Sequence, residues 1–156
     1  TTTGSGNPGA SNVTRALGWR KGVLVFVLDA LKGAVATIVG LWLGGRAGGY
    51  VLGAAAIVGH IFPVTRRFRG GKGVATAAGM AIVLYPGLSV VMGVVFALTV
   101  AVTRRSSVGS LVLALLLPIG VAVTGHPGTE VLIAAGVSLV VIARHHDNIR
   151  RLIRRE

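Results

Sequence analysis

Residues 4–15, 59–73 and 144–152 hold most of the groups in this chain that could grip an anion. In the first stretch, Gly4-Ser5-Gly6-Asn7-Pro8-Gly9-Ala10-Ser11-Asn12, glycines permit close backbone approach, so several N–H groups could turn toward one anion. Ser5, Asn7 and Asn12 add hydroxyl and amide groups, and Arg15 adds a planar fork that suits phosphate. Without Arg15 the stretch would pass for an ordinary flexible terminal loop. The second stretch runs from Gly59-His60-Ile61-Phe62-Pro63 to Gly70-Gly71-Lys72-Gly73. Its backbone amides, beside Lys72 and at the start of a helix, are expected to cradle a phosphate. It is not a nucleotide-binding P-loop, because Arg66 and Gly73 stand where that pattern needs a glycine and a hydroxyl. The third stretch, Arg144-His145-His146-Asp147-Asn148-Ile149-Arg150-Arg151, carries more hydrogen-bonding groups than a membrane stop signal requires.

Two smaller features add to these. Asp29 and Lys32 stand three residues apart inside an apolar run, so they share a helix face. Charges in such a run are costly and are usually paired, either to lock packing or to serve function. Ser107 and Ser110, beside Arg104 and Arg105, could bind substrate or cap the helix that follows, capping being the simpler reading for each alone. The adjacent histidines 145 and 146 lack the cysteines and acids that would complete a metal site, so no metal and no cofactor is expected. There is no Gly-x-Ser-x-Gly elbow, and no histidine is followed five residues later by aspartate. Chemistry without a protein nucleophile is therefore expected.

The elements that must hold these groups are greasy. With 156 residues, 53% of them hydrophobic, and a mean hydropathy of +0.78, the chain suits lipid better than water. Its 24 glycines fit close-packed transmembrane helices. Apolar runs occupy residues 23–43, 49–63, 74–102, 108–124 and 129–143, the third interrupted at Tyr85-Pro86-Gly87. A reversal at that interruption puts Arg15, Arg20, Lys21, Arg66, Arg67, Arg69, Lys72, Arg104, Arg105, Arg144, Arg150, Arg151, Arg154 and Arg155 on one side of six spans. That distribution obeys the positive-inside rule, so the net charge of +12 reads as topology rather than nucleic-acid binding. The opposite connections, residues 44–48, 85–87 and 125–128, are short, rich in Gly and Pro, and read as passive turns. Cysteine is absent, which excludes disulfides and thiolate metal sites.

Taken in order along the chain, these segments resemble those of the bacterial acyl-phosphate:glycerol-3-phosphate acyltransferases. The first motif is Gly-Ser-Gly-Asn-Pro-Gly-Ala-Ser-Asn-Val-Thr-Arg at 4–15, and the second runs from Gly-His-Ile-Phe-Pro at 59 through Gly-Gly-Lys-Gly-Val-Ala-Thr at 76. The third is His145-x-x-Asn148-Ile149-x-Arg151-Leu152; Asp-x-x-Lys-Gly at 29–33 and Ser107 are similar as well. The resemblance implies an all-α polytopic transmembrane bundle forming a single domain over residues 1–156, with six spans where the family has seven, so a first helix is expected to be missing. The family's tail continues with Gly-x-Glu, whereas Arg155 stands at the Gly position and Glu156 comes one residue early, so Glu156 is given no role.

What the resemblance further implies is acyl transfer from a long-chain acyl phosphate to the sn-1 hydroxyl of glycerol-3-phosphate, giving lysophosphatidic acid and inorganic phosphate. The enzyme that makes acyl phosphate would be its functional partner, and the active site would face the cytoplasm from a bacterial inner membrane. Catalytic roles fall on Ser5, Arg15, Lys72, Ser107, His145 and Asn148. Substrate contacts fall on Gly6, Asn7, Gly9, Asn12, Asp29, Lys32, His60, Gly70, Gly71, Gly73, Thr76 and Arg151. A small anion or lipid transporter is the competing expectation, since it too would use intramembrane charge and basic mouths.

Overall fold

The computed structural model describes residues 9–154, so Ser5, Gly6, Asn7, Arg155 and Glu156 lie outside the described residues. Within them the chain is helical: α1 (Ala10–Leu17), α2 (Trp19–Ile61), a 3-10 turn at Val64–Arg66, α3 (Val74–Leu84), α4 (Pro86–Thr103), α5 (Ser106–Val123), α6 (Gly128–Ala143) and α7 (His146–Ile153). The two short terminal helices were not expected: the stretch up to Asn12 reads in sequence as a glycine-rich loop, and the one around Asn148 as a polar tail. By length and apolar character, three helical stretches among the described residues suffice to cross a membrane: Trp19–Arg66, Pro86–Thr103 and Ser106–Val123. A fourth is added if α6 and α7, bent by 62°, count as one broken span. Val74–Leu84, at 11 residues, reaches about 16 Å, roughly half the hydrocarbon thickness. The interruption expected at Tyr85-Pro86-Gly87 is present: α3 stops at Leu84, Tyr85 leaves helical geometry at φ −139° and ψ 62°, and Pro86 opens α4. Proline suits that first position because its missing N–H would have had no helical partner.

The helices group into two compact units, one reaching Leu84 and the other starting at Tyr85. In the first, α2 is a hairpin. Its regular geometry breaks at Gly44 and Gly45, where Gly45 adopts φ 58°, and the limbs on either side fold against each other. A Cβ on Gly40 would strike the Gly48 carbonyl, and one on Gly53 would lie 2.6 Å from Thr37 Oγ1. Thr37 itself is fully buried and donates to the Gly33 carbonyl at 2.7 Å. α3 packs on both limbs: Gly33 meets the Thr76 carbonyl, Gly79 meets the Ala30 carbonyl, and Gly53 meets Met80. Burying apolar surface drives little association within lipid, so this backbone-to-backbone closeness through small residues is what joins the limbs. Gly18, at φ 91°, ends α1 and lets Thr14 pack onto Gly22 at the start of α2.

The second unit is a run of antiparallel neighbours. Gly109 faces Phe96 and Val100, while Gly120 faces Leu88 and Met92, which sets α4 and α5 head to tail. A four-residue connection then returns α6 along α5, with the His126 N–H donating to the Val121 carbonyl at 3.3 Å. The start of α5 and the end of α6 consequently share one end of the unit. The opposite end corrects the expectation of passive turns. Glu130, in the first turn of α6 and buried, accepts a hydrogen bond from the Tyr85 hydroxyl at 3.2 Å and sits 3.1 Å from His126 Nδ1. The Tyr85 and His126 rings meet edge to face at 4.8 Å. Sequence spacing gave no warning, since Tyr85 and Glu130 are 45 residues apart.

A buried carboxylate shared in this way makes a definite prediction. Glu130→Ala should cost about 1–3 kcal/mol, because the Tyr85 hydroxyl and His126 lose their common acceptor, and Glu130→Gln should cost less. Thermal unfolding of the detergent-solubilised protein would measure both; equal midpoints for the two variants would contradict this account.

Candidate functional site

Each unit gathers expected site residues at one end. In the first unit they surround the mouth of the α2 hairpin. Lys32 Nζ donates to Asp29 Oδ1 at 2.8 Å, so the charges three residues apart do pair. The same oxygen lies 3.5 Å from Nδ1 of His60, at the far end of the second limb. Asp29 is buried while the Lys32 side chain is 60% exposed, so the carboxylate is enclosed and the ammonium reaches outward. Asp29 lies ten residues past Trp19, the first residue of α2, about 15 Å along the helix.

The glycine loop is placed differently from the expected cradle. The N–H groups of Gly70 and Gly71 are already spent, donating to the carbonyls of Ile61 and His60 at 3.1 and 3.2 Å. They satisfy the carbonyls left open at the end of α2 and fasten the loop to it. Both glycines are needed for closeness: a Cβ on Gly71 would strike the His60 ring, and one on Gly70 the His60 carbonyl. Gly73 holds φ 82° against Ile57 and Ile61 and provides the first helical acceptor of α3, taking the Ala77 N–H at 2.8 Å. The donors that helix geometry leaves for an anion are those of the first turn of α3, next to half-buried Lys72. Thr76 is fully buried against Gly33, and its hydroxyl has no hydrogen-bond partner among the described residues.

On α1, Gly9 is the N-cap, its carbonyl taking the N–H groups of Asn12 and Val13 at 3.0 and 3.2 Å. Asn12 is buried and Arg15 exposed. The stretch that read as a glycine nest is thus, from Ala10 onward, a helix turn.

In the second unit the antiparallel return brings Ser107, at the start of α5, to the same end as the α6–α7 junction. Ser107 is half-buried in the first turn, yet Arg105 occupies the N-cap without a side-chain cap bond and Ser110 donates back to the Ser106 carbonyl at 3.0 Å. Neither serine therefore caps the helix. His145 is buried at the N-cap of α7, with Nδ1 2.7 Å from the Val141 carbonyl. A carbonyl can only accept, so Nδ1 carries the proton and Nε2 is the basic nitrogen of the neutral ring. Asn148 follows one turn on, half-buried, and the exposed Arg151 donates through Nε to the Asp147 carbonyl at 3.3 Å. Among the described residues no group of three or more His, Cys, Asp or Glu side chains could hold a metal.

An all-helical fold among the described residues, joined through glycines and carrying stretches long and apolar enough to cross a membrane, defines an integral membrane protein. The family model described as glycerol-3-phosphate acyltransferase matches residues 1–155. Glycerol-3-phosphate acyltransferase of Syntrophotalea carbinolica is 46% identical over 152 residues, covering 96% of this chain and 78% of that one. The protein of the same name from Thermoanaerobacter pseudethanolicus is 34% identical over 150 residues, covering 96% and 76%. The crystal structure of PlsY (YgiH), an integral membrane glycerol 3-phosphate acyltransferase, in its glycerol 3-phosphate form matches with a TM-score of 0.92 at 37% identity, covering 97% of this chain and 76% of that one. Its lysophosphatidic acid form gives a TM-score of 0.91 at 36% identity. This chain belongs to the glycerol-3-phosphate acyltransferase family of integral membrane enzymes, whose work lies in phospholipid biosynthesis.

Proposed function

We propose that this chain moves a fatty acyl group from a long-chain acyl phosphate to the sn-1 hydroxyl of glycerol-3-phosphate. The new ester C–O bond forms as the acyl–phosphate bond breaks, and the products are lysophosphatidic acid and inorganic phosphate. The observation that carries this reading is the mouth of the α2 hairpin, where Lys72 and the first turn of α3 stand beside a loop pinned by the Gly70 and Gly71 amides. A fixed cation next to helix N–H dipoles suits a phosphate monoester. The donor is already activated, so the hard step is bringing two charged phosphates together, and no covalent acyl-enzyme is required.

Arg15, Lys72 and Arg151 neutralise the two phosphates in this scheme. Ser5, Ser107, His145 and Asn148 orient the glycerol hydroxyl and the acyl carbonyl. The tautomer of His145 supports a part in proton transfer, since its Nε2 can take the hydroxyl proton, the donor's own phosphate being the other acceptor. Asp29 and His60 fix the end of α2 on which the glycine loop is hung. Holding both reactants in place accounts for about 7–11 kcal/mol of barrier, and oriented donors on the carbonyl oxygen for a few more. The excess of Arg and Lys in alternate connections supports a bacterial inner-membrane location with these ends in the cytoplasm, where an enzyme making acyl phosphate would supply the donor.

The test is the purified protein in lipid vesicles with labelled glycerol-3-phosphate and palmitoyl phosphate. Labelled lysolipid with stoichiometric phosphate release is expected. Lysolipid formed only from palmitoyl-CoA would overturn the donor, and uptake of label without lysolipid would make the protein a transporter.

A further inference from the structure

Residues 62–69, between the second limb of α2 and the glycine loop, are tightly folded yet turn their side chains outward. The backbone closes on itself: the Arg66 and Phe68 N–H groups donate to the Pro63 carbonyl at 3.1 and 3.0 Å, Arg67 to Val64 at 3.1 Å, and Arg69 to Arg66 at 3.1 Å. Two successive non-glycine residues, Arg67 at φ 51° and Phe68 at φ 61°, occupy the left-handed region. An arginine and a phenylalanine there are strained where glycine would not be, and strain kept at bulky side chains points to a use for those side chains. Both side chains lie at the surface. Val64 is 78% exposed and Phe68 60%, and Arg66, Arg67 and Arg69 are exposed beside them. No acid interrupts the stretch.

We propose that residues 62–69 form a docking surface for anionic bilayer lipid. Val64 and Phe68 enter the acyl boundary, and Arg66, Arg67 and Arg69 bind headgroup phosphates. Because the loop leaves the end of an apolar helical limb, it emerges at the depth where headgroups lie. Three cations without an acid complement a negatively charged leaflet, and apolar side chains between them match the mixed chemistry of the interface. A site for free phosphate would need the arginines but gain nothing from Val64 and Phe68. The inference requires only that the chain spans a membrane and does not depend on the acyl donor.

The experiment uses the full chain with Trp19→Phe and Trp42→Phe, carrying Phe68→Trp as the sole indole, in phosphatidylglycerol or phosphatidylcholine vesicles. Val64→Trp is a second reporter that leaves the left-handed position untouched. Lipids brominated near the headgroup are expected to quench either indole at least about twofold more in phosphatidylglycerol. Changing Arg66, Arg67 and Arg69 together to glutamine should remove that difference while acyl transfer persists. Indoles open to aqueous acrylamide and insensitive to brominated lipid in both vesicles would overturn the proposal, as would quenching that ignores lipid charge. Protection from acrylamide by inorganic phosphate in phosphatidylcholine vesicles would also overturn it, marking a free-phosphate site instead. Loss of acyl transfer with the lipid response intact would bear on the enzymatic reading alone.

Discussion

Lys72→Ala should lower acyl transfer by at least about a hundredfold, while thermal unfolding stays within a few degrees of the parent. Two unit charges about 4 Å apart repel by about 4 kcal/mol at an effective dielectric constant near 20, so in the proposed reaction assembling the two phosphates would be a substantial part of the barrier. In the proposed scheme the Lys72 ammonium, beside the first turn of α3, would offset that repulsion. Removing one such group commonly costs about 2.7–4 kcal/mol of transition-state stabilisation. The fold should tolerate the change because Lys72 is only half-buried and the loop is fastened through the main chain of Gly70 and Gly71. Lys72→Arg keeps the charge but replaces a compact ammonium by a planar fork, so partial activity is expected. Initial rates of lysophosphatidic acid formation under saturating substrates provide the check. An alanine variant with more than about a tenth of the parent rate would remove Lys72 from the scheme.

The second large effect falls on folding. Gly33→Val should prevent the first unit from closing. A Cβ at Gly33 would strike the Thr76 carbonyl oxygen, lie 2.9 Å from its carbon and sit 3.2 Å from the Met80 amide nitrogen. All three atoms are backbone, so no side-chain rotation relieves the clash and α2 and α3 must separate. Overpacking that side chains can absorb costs about 1–3 kcal/mol; a backbone collision should exceed this. The resulting gap would also disturb Thr37, which donates to the Gly33 carbonyl in the hairpin seam. Gly136→Ala is the control: that glycine lies in α6, and a Cβ added there would meet nothing within 4 Å, so the change should be neutral or slightly stabilising. Size-exclusion profiles in detergent and unfolding midpoints would separate the two. A monodisperse Gly33→Val protein with an unchanged midpoint would contradict the packing described for this unit.

Much of this protein was legible in its residues. Long apolar runs fold as helices because backbone groups in lipid have no other partners, and the break before Pro86 follows from a residue that lacks an N–H. Asp29 and Lys32 pair because helix geometry alone sets residues three apart on one face. The three motifs sufficed to indicate the family, since each is a local string. Pairings across distance were not legible. These helices are apolar on every side, so no polar stripe marks which face meets which neighbour, and a glycine reads the same whether it meets a carbonyl, as Gly33 does, or nothing, as Gly136 does. Only the tertiary structure joined Asp29 to His60 and Tyr85 to Glu130, and only it turned the Gly70 and Gly71 amides away from a ligand and onto the end of α2. Local hydrogen bonding and sterics are written residue by residue; which of several near-identical apolar faces come together is decided by the fit of whole helices.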